Sequence, residues 1–309
     1  MVRYHLGWED AEGRPAEASG KCLRPALCLL ACEAVGGEAR RALPAAAAVE
    51  LTHNFSLVHD DIQDRDRERR HRPTIWSIWG DAQAINAGDA LLALAHRVLL
   101  DLAEEGPPAD TVMEAARLLD ERTLEMVEGQ VMDLEFETRS EVDMASYLDM
   151  VDRKTASLFD CSLRLGALAA SAEPALVEGL GRFGRALGVA FQLRDDVLGV
   201  WGSEEQTGKP PAADIRRRKK SLPIVHALAA GQGETGERLR RVYAESELRD
   251  EQVSTVLTTL DELGSREYCE RLVEERAGQA LAHLDGLALR APAAGELREV
   301  AVYLLSPEP

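Results

Sequence analysis

Apolar residues recur at intervals of three and four along almost all of the 309-residue chain, and no strand-like alternation outlasts a few residues. That period puts apolar side chains on one face of a helix, so the chain is expected to be all-α. Residue choice agrees: alanine, leucine, glutamate and arginine dominate, while runs rich in valine, isoleucine and threonine are scarce. Breakers mark the segments. Helices are predicted over 23–35, closed by Gly36-Gly37, and from Ala42 to about Gln63. A long helix from Thr74 should be interrupted near Gly80 and Gly88. After Pro107-Pro108, Asp110 should cap a helix reaching Thr138. Further helices are predicted over 144–170, 174–200, 222–230, 235–245 and 250–263, and from Arg266 onward with a break at Pro292. Two polar connections stand apart: the arginine-rich stretch 65–72 and the irregular stretch 202–220. Long connections in compact domains are often functional. No repeat at a solenoid period is present, so one helical bundle over residues 1–309 is the expected architecture.

Charge and cysteine usage narrow the function. Lys+Arg 36 against Asp+Glu 54 gives a formal net charge of −18. A nucleic-acid backbone needs a basic surface, so nucleic acid is not an expected partner. An acidic chain can still bind small phosphorylated ligands by gathering cations locally or recruiting divalent metal. The cysteines, Cys22, Cys28, Cys32, Cys161 and Cys269, are odd in number and form no CxxC or Cys/His cluster. A disulfide framework and a zinc site are both disfavoured, and Cys28 and Cys32 read as helix-core residues. No apolar stretch reaches the roughly 18–20 residues of a membrane span. The longest candidate, near Ala90–Leu102, is broken by His96 and Arg97. The opening MVRYHLGWEDAEGRP reads as neither a signal nor a transit peptide, and a reducing cytoplasm is the expected compartment.

The sharpest chemical signal is His59-Asp60-Asp61-Ile62-Gln63-Asp64 at the end of an apolar helix. Asp60 and Asp64 are four apart and share a face, with Asp61 swung to the side. Like charges at that spacing repel, and the macrodipole near a helix C-terminus repels them further. The cluster therefore calls for a cation, and magnesium, which takes carboxylates together with substrate phosphates, suits it. Alone it reads equally well as a solvated helix end. A second apolar helix closes in Gln192, Asp195 and Asp196. Two acidic helix ends facing across a cavity would clamp a diphosphate through bridging magnesium. Cations lie near both: Lys21 and Arg24, Arg69 and Arg70, and Lys209, Lys219 and Lys220. Each alone reads as a surface charge. Their placement beside the acidic clusters is what points to phosphate.

Taken together, GKCLRP at 20–25, HDDIQD at 59–64, RRHRPT at 69–74, GQVMD at 129–133, Lys154-Thr155, FQLRDD at 191–196, TGK at 207–209 and KKSLP at 219–223 resemble the trans-type polyprenyl diphosphate synthases. This family includes the farnesyl and geranylgeranyl diphosphate synthases. The resemblance implies an all-α bundle with a central cavity between two Asp-rich helices, and a homodimer. It also implies a prenyltransferase that joins isopentenyl diphosphate to a dimethylallyl, geranyl or farnesyl diphosphate by ionisation, condensation and proton loss. By position, Asp60, Asp64 and Asp195 are implied magnesium ligands, with Asp61, Asp133 and Asp196 supporting. Three ions are implied with substrate bound, and manganese is a possible substitute. Arg69, Lys154 and Lys209 would hold the allylic diphosphate; Lys21, Arg24, His53 and Arg70 would hold isopentenyl diphosphate. Gln130 and Lys219 join the substrate-binding set. Carbonyls around Lys154 and Thr155, with Gln192, would face the carbocation.

Product length is expected to follow from Phe55 and Ser56, five and four residues before Asp60. One aromatic, a small neighbour and an unwidened acidic motif resemble geranylgeranyl more than farnesyl synthases. The farnesyl product is the next reading, then a terpene cyclase on the same scaffold or a non-catalytic subunit of a heteromeric synthase. The intact isopentenyl set opposes the cyclase, and the intact first acidic cluster opposes the silent subunit. Four features depart from the family pattern. Gly199 stands where the second motif has its last carboxylate, Ser203 stands where aspartate is frequent, and Ser306-Pro307-Glu308-Pro309 replaces a basic tail. Met1 falls where the family's first helix would end, so a further helix before it is an expectation.

Overall fold

The computed structural model describes the chain apart from residues 18–19, 205–209, 246–247 and 307–309. Lys209, expected at the allylic diphosphate, lies outside the described residues. The described residues are mostly helical, and their strands are limited to one two-residue hairpin. The helices are α1 (Val2–His5), α2 (Leu23–Ala34), α3 (Leu43–Gln63), α4 (Ile75–Trp79), α5 (Asp81–Leu99) and α6 (Ala109–Thr138). Then come α7 (Met144–Val151), α8 (Ser157–Ala169), α9 (Pro174–Trp201), α10 (Ala213–Arg216) and α11 (Leu222–Ala230). The last are α12 (Gly233–Tyr243), α13 (Asp250–Glu262), α14 (Ser265–Asp285) and α15 (Ala293–Leu305).

The chain groups into two compact units. The first comprises Met1–Thr123, Leu158–Gly181 and Leu287–Leu297. Its core is the pairing of α3 with α5, flanked by α2. The facing positions are small, with Ala45 and Ala48 on α3 and Ala84 and Ala95 on α5 fully buried. Small residues let the two backbones come close along their length. Gly88 does not interrupt α5 as expected: a Cβ there would overlap the His59 ring, so this glycine makes room for α3. Gly80 does end α4, at φ +84. Asp110 is not a cap. It lies in the first turn of α6, where its charge still complements the macrodipole.

The arginine-rich stretch folds into the hairpin that the sequence did not announce. β1 (Glu68–Arg69) pairs antiparallel with β2 (Arg72–Pro73), Arg69 opposite Arg72. The turn residues Arg70 and His71 have φ of 53° and 57°. Both positive values are what a two-residue type I′ turn requires, and they cost a non-glycine residue about 1–2 kcal/mol each. The hairpin is tied down by Tyr4, whose hydroxyl donates to the Pro73 carbonyl at 2.7 Å while the Arg72 guanidinium lies 4.1 Å above its ring.

The second unit comprises Leu124–Ser157, Arg182–Gly286 and Arg298–Pro309. One buried cluster joins Phe136, Tyr147, Val151, Leu193, Leu222 and Cys269; another joins Ile215, Ile224, Leu239, Val256 and Leu260. The single helix expected over 144–170 is instead α7 and α8 joined by a π-helical turn, Asp152–Ala156. Such turns occur mostly at functional sites because they disturb the regular carbonyl ladder. This one carries Lys154 and Thr155. Asp152 is anchored by Arg185 at 2.6 Å. A Cβ at Gly129 would overlap the Lys154 backbone, so that glycine lets α6 lie against the turn.

Candidate active site

In the first unit the C-terminal turn of α3 presents Asp60 and Asp64 toward solvent and turns Asp61 inward, where it is 2% exposed. Asp61 accepts from Arg69 Nε at 2.7 Å. Burial pushes its carboxyl up to about 6, against the pull of Arg69. Arg70, on the next hairpin residue, packs where a Cβ on Gly20 would stand, bringing the arginine turn against the loop that carries Lys21. Arg24 lies 5.0 Å from the Phe159 ring, and its buried Nε has no hydrogen-bond partner. Burial lowers Arg24 to about 10. His53 is held neutral well below its ordinary range, first by burial and then by Arg24, Arg70 and Arg69. Arg24, Arg69 and Arg70 therefore gather around His53, with Glu50 acting on Arg24 and Asp61 paired to Arg69. Lys21 is exposed at the edge of this region.

His5 belongs to the same region and was not singled out in the sequence. Burial, then Arg69 and Arg70, hold it down to about 3. It lines a small cleft with Asp61, Arg69 and Arg70. Nothing local in the sequence ties residue 5 to residue 70. Phe55 is buried, with its ring edge-on to His59 at 5.6 Å, while Ser56 is half-buried and donates to the His53 carbonyl.

In the second unit, Asp133, Lys154, Thr155, Gln192, Asp196 and Lys219 line one small cavity. Lys154 Nζ meets Asp133 Oδ2 at 2.5 Å. Burial opposes the Asp133 charge, but Lys154 and Lys219 outweigh it and hold the carboxyl below its usual range. Burial likewise opposes the charge on Lys219, yet Asp196, Asp214, Asp133 and Asp195 raise it. Asp195 faces solvent, whereas Asp196 is 2% exposed. Gln130 is half-buried one residue after Gly129.

Gly199 finds a physical reason here. A Cβ at that position would overlap the Asp214 carboxylate, which is itself buried. A carboxylate from residue 214 thus occupies the space beside the second acidic motif where residue 199 has no side chain. Asp214 was missed because the contact spans a stretch with no periodic signal.

In the first unit Asp60 and Asp64 carry hard oxygen donors at the end of α3, and in the second unit Asp195 carries another on α9; magnesium takes donors of this type. Among the described residues no three His, Cys, Asp or Glu side chains converge into a complete metal site.

Comparison with known proteins decides the family. The family model described as "Polyprenyl synthetase" matches residues 13–260. The chain belongs to the polyprenyl synthetase family. The "(2E,6E)-farnesyl diphosphate synthase" of Mycobacterium tuberculosis (strain ATCC 25618 / H37Rv) is 42% identical over 99% of this chain and 85% of its own length. The "Geranylgeranyl diphosphate synthase" of the same strain is also 42% identical, over 94% of this chain and 82% of its own. A crystal structure of polyprenyl synthetase from Streptomyces coelicolor A3(2) superposes with a TM-score of 0.91, at 37% identity, covering 99% of this chain and 91% of that one. This polyprenyl synthetase is a trans-prenyltransferase that condenses isopentenyl diphosphate with an allylic diphosphate. Its family generally uses Mg2+ held by Asp-rich motifs. No helix of the synthetase is long and apolar enough to cross a membrane among the described residues.

Two outcomes follow for the synthetase. Restoring the missing carboxylate with Gly199→Asp should harm it, because the new side chain meets Asp214 in space and in charge. A loss of about 1–3 kcal/mol in urea unfolding is expected; unchanged stability with raised activity would show that position 199 is an open ligand position. For His53, the folded pKa lies below the unfolded value of ~6.5, so the unfolded chain takes the proton first as pH falls. The stability present above that pH is lost below it, by up to about 2 kcal/mol at about pH 5 for one such histidine. His53→Asn should therefore shrink the stability loss between about pH 7.5 and pH 5 by ~1–2 kcal/mol, and an equal loss would count against it.

Proposed function

We propose that the two units act as one catalytic domain over residues 1–309, whose product is geranylgeranyl diphosphate. The observation that carries the product length is Phe55, a buried aromatic on the acidic helix with only the small Ser56 beside it. One fixed ring would stop the growing chain at an intermediate length. The relatives named above include both the fifteen- and the twenty-carbon synthases, so the farnesyl product is the second reading.

Residue roles follow from the local chemistry. Asp60, Asp64 and Asp195 would hold magnesium, with Asp61, Asp133 and Asp196 in support, Asp196 through the protein groups it fixes rather than by touching metal; three ions with substrate bound, and manganese as a substitute, belong to the same reading. When bound, the metal neutralises charge that builds on the departing diphosphate. Arg69 and Lys154 would bind the allylic diphosphate, a role that extends to Lys209. Lys21, Arg24, His53 and Arg70 would bind isopentenyl diphosphate, supported by the unpartnered Arg24 Nε and the neutral His53 beside it. Gln130 and Lys219 would complete the substrate-binding set. The π-helical turn would place backbone carbonyls near Lys154 and Thr155, with Gln192, where positive charge develops on the allylic carbon. No nucleophilic side chain is required; the proton lost after condensation would leave with the released diphosphate.

A homodimer is supported by exposed Leu124, Val127 and Val131 on α6, three large apolar residues at helical spacing. The free cysteines fit a reducing cytoplasm.

Purified protein with magnesium, labelled isopentenyl diphosphate and five-, ten- or fifteen-carbon allylic diphosphates should yield twenty-carbon linear alcohol after phosphatase treatment. Phe55→Ala should lengthen the products. A fifteen-carbon end product, unchanged by Phe55→Ala, would overturn the length assignment. Light scattering should give twice the 33.8 kDa chain mass, and Val127→Asp should shift it toward the monomer; a monomeric wild type would remove the dimer.

A further inference from the structure

The second unit contains a hydrogen-bond chain whose direction is dictated at one end. Asp196 Oδ2 accepts from the Tyr147 hydroxyl at 2.5 Å and from the Leu222 backbone N–H at 2.8 Å. Its other oxygen, Oδ1, accepts from Gln192 Nε2 at 2.8 Å. Gln192 Oε1 then accepts from the Thr155 hydroxyl at 2.8 Å. A carboxylate can only accept, so it compels the Gln192 amide to point its NH2 inward and its carbonyl toward Thr155. That carbonyl in turn takes the Thr155 proton. The remaining valences of the Thr155 oxygen are lone pairs. Thr155 sits on the π-helical turn and lines the same cavity as Gln192, Lys154 and Asp133.

We propose that Tyr147 and Asp196 are positioning residues that set the polarity of the Thr155 hydroxyl, so that its lone pairs rather than its proton meet the allylic substrate. The inference rests on the prenyltransfer reading and deepens it. A hydroxyl fixed in this sense stabilises positive charge on the allylic carbon; reversed, it would oppose that charge with the same atoms in the same places. Preorganisation matters because a hydroxyl free to rotate would answer the nearest diphosphate oxygen with its proton instead. Tyr147 and Asp196 belong together in this role. Tyr147 is fully buried, has its oxygen committed to Asp196, and has no other polar function in view. Asp196 accepts from three protein donors and so ties α7, α9 and α11 together behind the solvent-facing Asp195.

Asp196→Asn tests the polarity with almost no change in shape. Its oxygen can still accept from Tyr147 and Leu222, but its NH2 then takes the place of Oδ1. Gln192 must flip, present its own NH2 to Thr155, and turn the Thr155 proton outward. The expected result is a fall in kcat of about a hundredfold, with the magnesium concentration for half-activity unchanged. Tyr147→Phe leaves two donors on Asp196 and should cost about tenfold in kcat with KM for isopentenyl diphosphate unchanged. Thr155→Val removes the hydroxyl, so Asp196→Asn should add almost nothing in that background. A raised magnesium requirement in Asp196→Asn, with kcat restored at saturating metal, would make Asp196 a metal group and overturn the inference. Independent, multiplying losses in the Thr155→Val/Asp196→Asn pair would overturn it too, as would wild-type kcat in Asp196→Asn. Circular dichroism and thermal unfolding of each variant separate these outcomes from misfolding, and should Asp196→Asn fail to fold, Tyr147→Phe in the Thr155→Val background carries the same non-additivity test. If the wild type itself makes no prenyl product, it is the prenyltransfer reading that fails.

Discussion

Carboxylates crowded at the end of a helix repel one another and repel its macrodipole, and the answer to that repulsion organises both halves of the chemistry. Each acidic motif is divided between inside and outside. In the first, Asp61 turns inward to Arg69 while Asp60 and Asp64 stay toward solvent. In the second, Asp196 turns inward to Tyr147, Gln192 and the Leu222 N–H, and Lys219 stands near, while Asp195 stays toward solvent. The inward member of each pair is neutralised or satisfied by protein groups and fixes the helix end in place. The outward members keep their oxygens toward solvent at the end of α3 and along α9. Removing an inward partner would leave a buried charge uncompensated, which costs far more than losing an exposed one.

That division requires backbones to approach closely, and glycine does this at a few defined points. Gly88 admits His59, Gly129 admits the Lys154 backbone, and Gly20 admits the Arg70 guanidinium. In each case the glycine serves a chemical group on another segment rather than an unusual dihedral of its own. The arginine hairpin works in the opposite way. Arg70 and His71 accept left-handed dihedrals without being glycine, and the reversal lets Arg69 reach Asp61 while Arg70 packs beside Gly20. Strain of this size persists where surrounding contacts over-determine the conformation, here Tyr4 with Pro73 and Arg72.

What the sequence made legible follows the range of the interactions involved. Helix ends at Gly36, Gly80 and Pro107-Pro108 rest on local dihedral preferences and were readable. The acidic motifs and their cations were readable because each is a short run with its own electrostatic logic. Gly88 misled, because a helix breaker by propensity is a spacer once a second helix packs on it. The π-helical turn at Asp152–Ala156 was invisible, since it depends on Arg185, Gly129 and Asp133, all remote in sequence. His5, Tyr147 and Asp214 were invisible for the same reason: none belongs to a local pattern, and each acquires its place from a partner dozens of residues away or from a loop with no period.

The net charge of −18 raises the question of how such a chain receives two diphosphates at all. At physiological ionic strength the Debye length is about 8 Å, so distant surface carboxylates contribute little at the site. What an arriving anion meets is set by the nearest few groups. In the first unit these are Arg24, Arg69 and Arg70 around His53 and His5, two histidines that burial first, and then these arginines, hold below their ordinary range. An anion placed there would offset the arginines' share of that penalty and leave burial's share in place, so diphosphate binding and histidine protonation are linked with a favourable sign and a limited size.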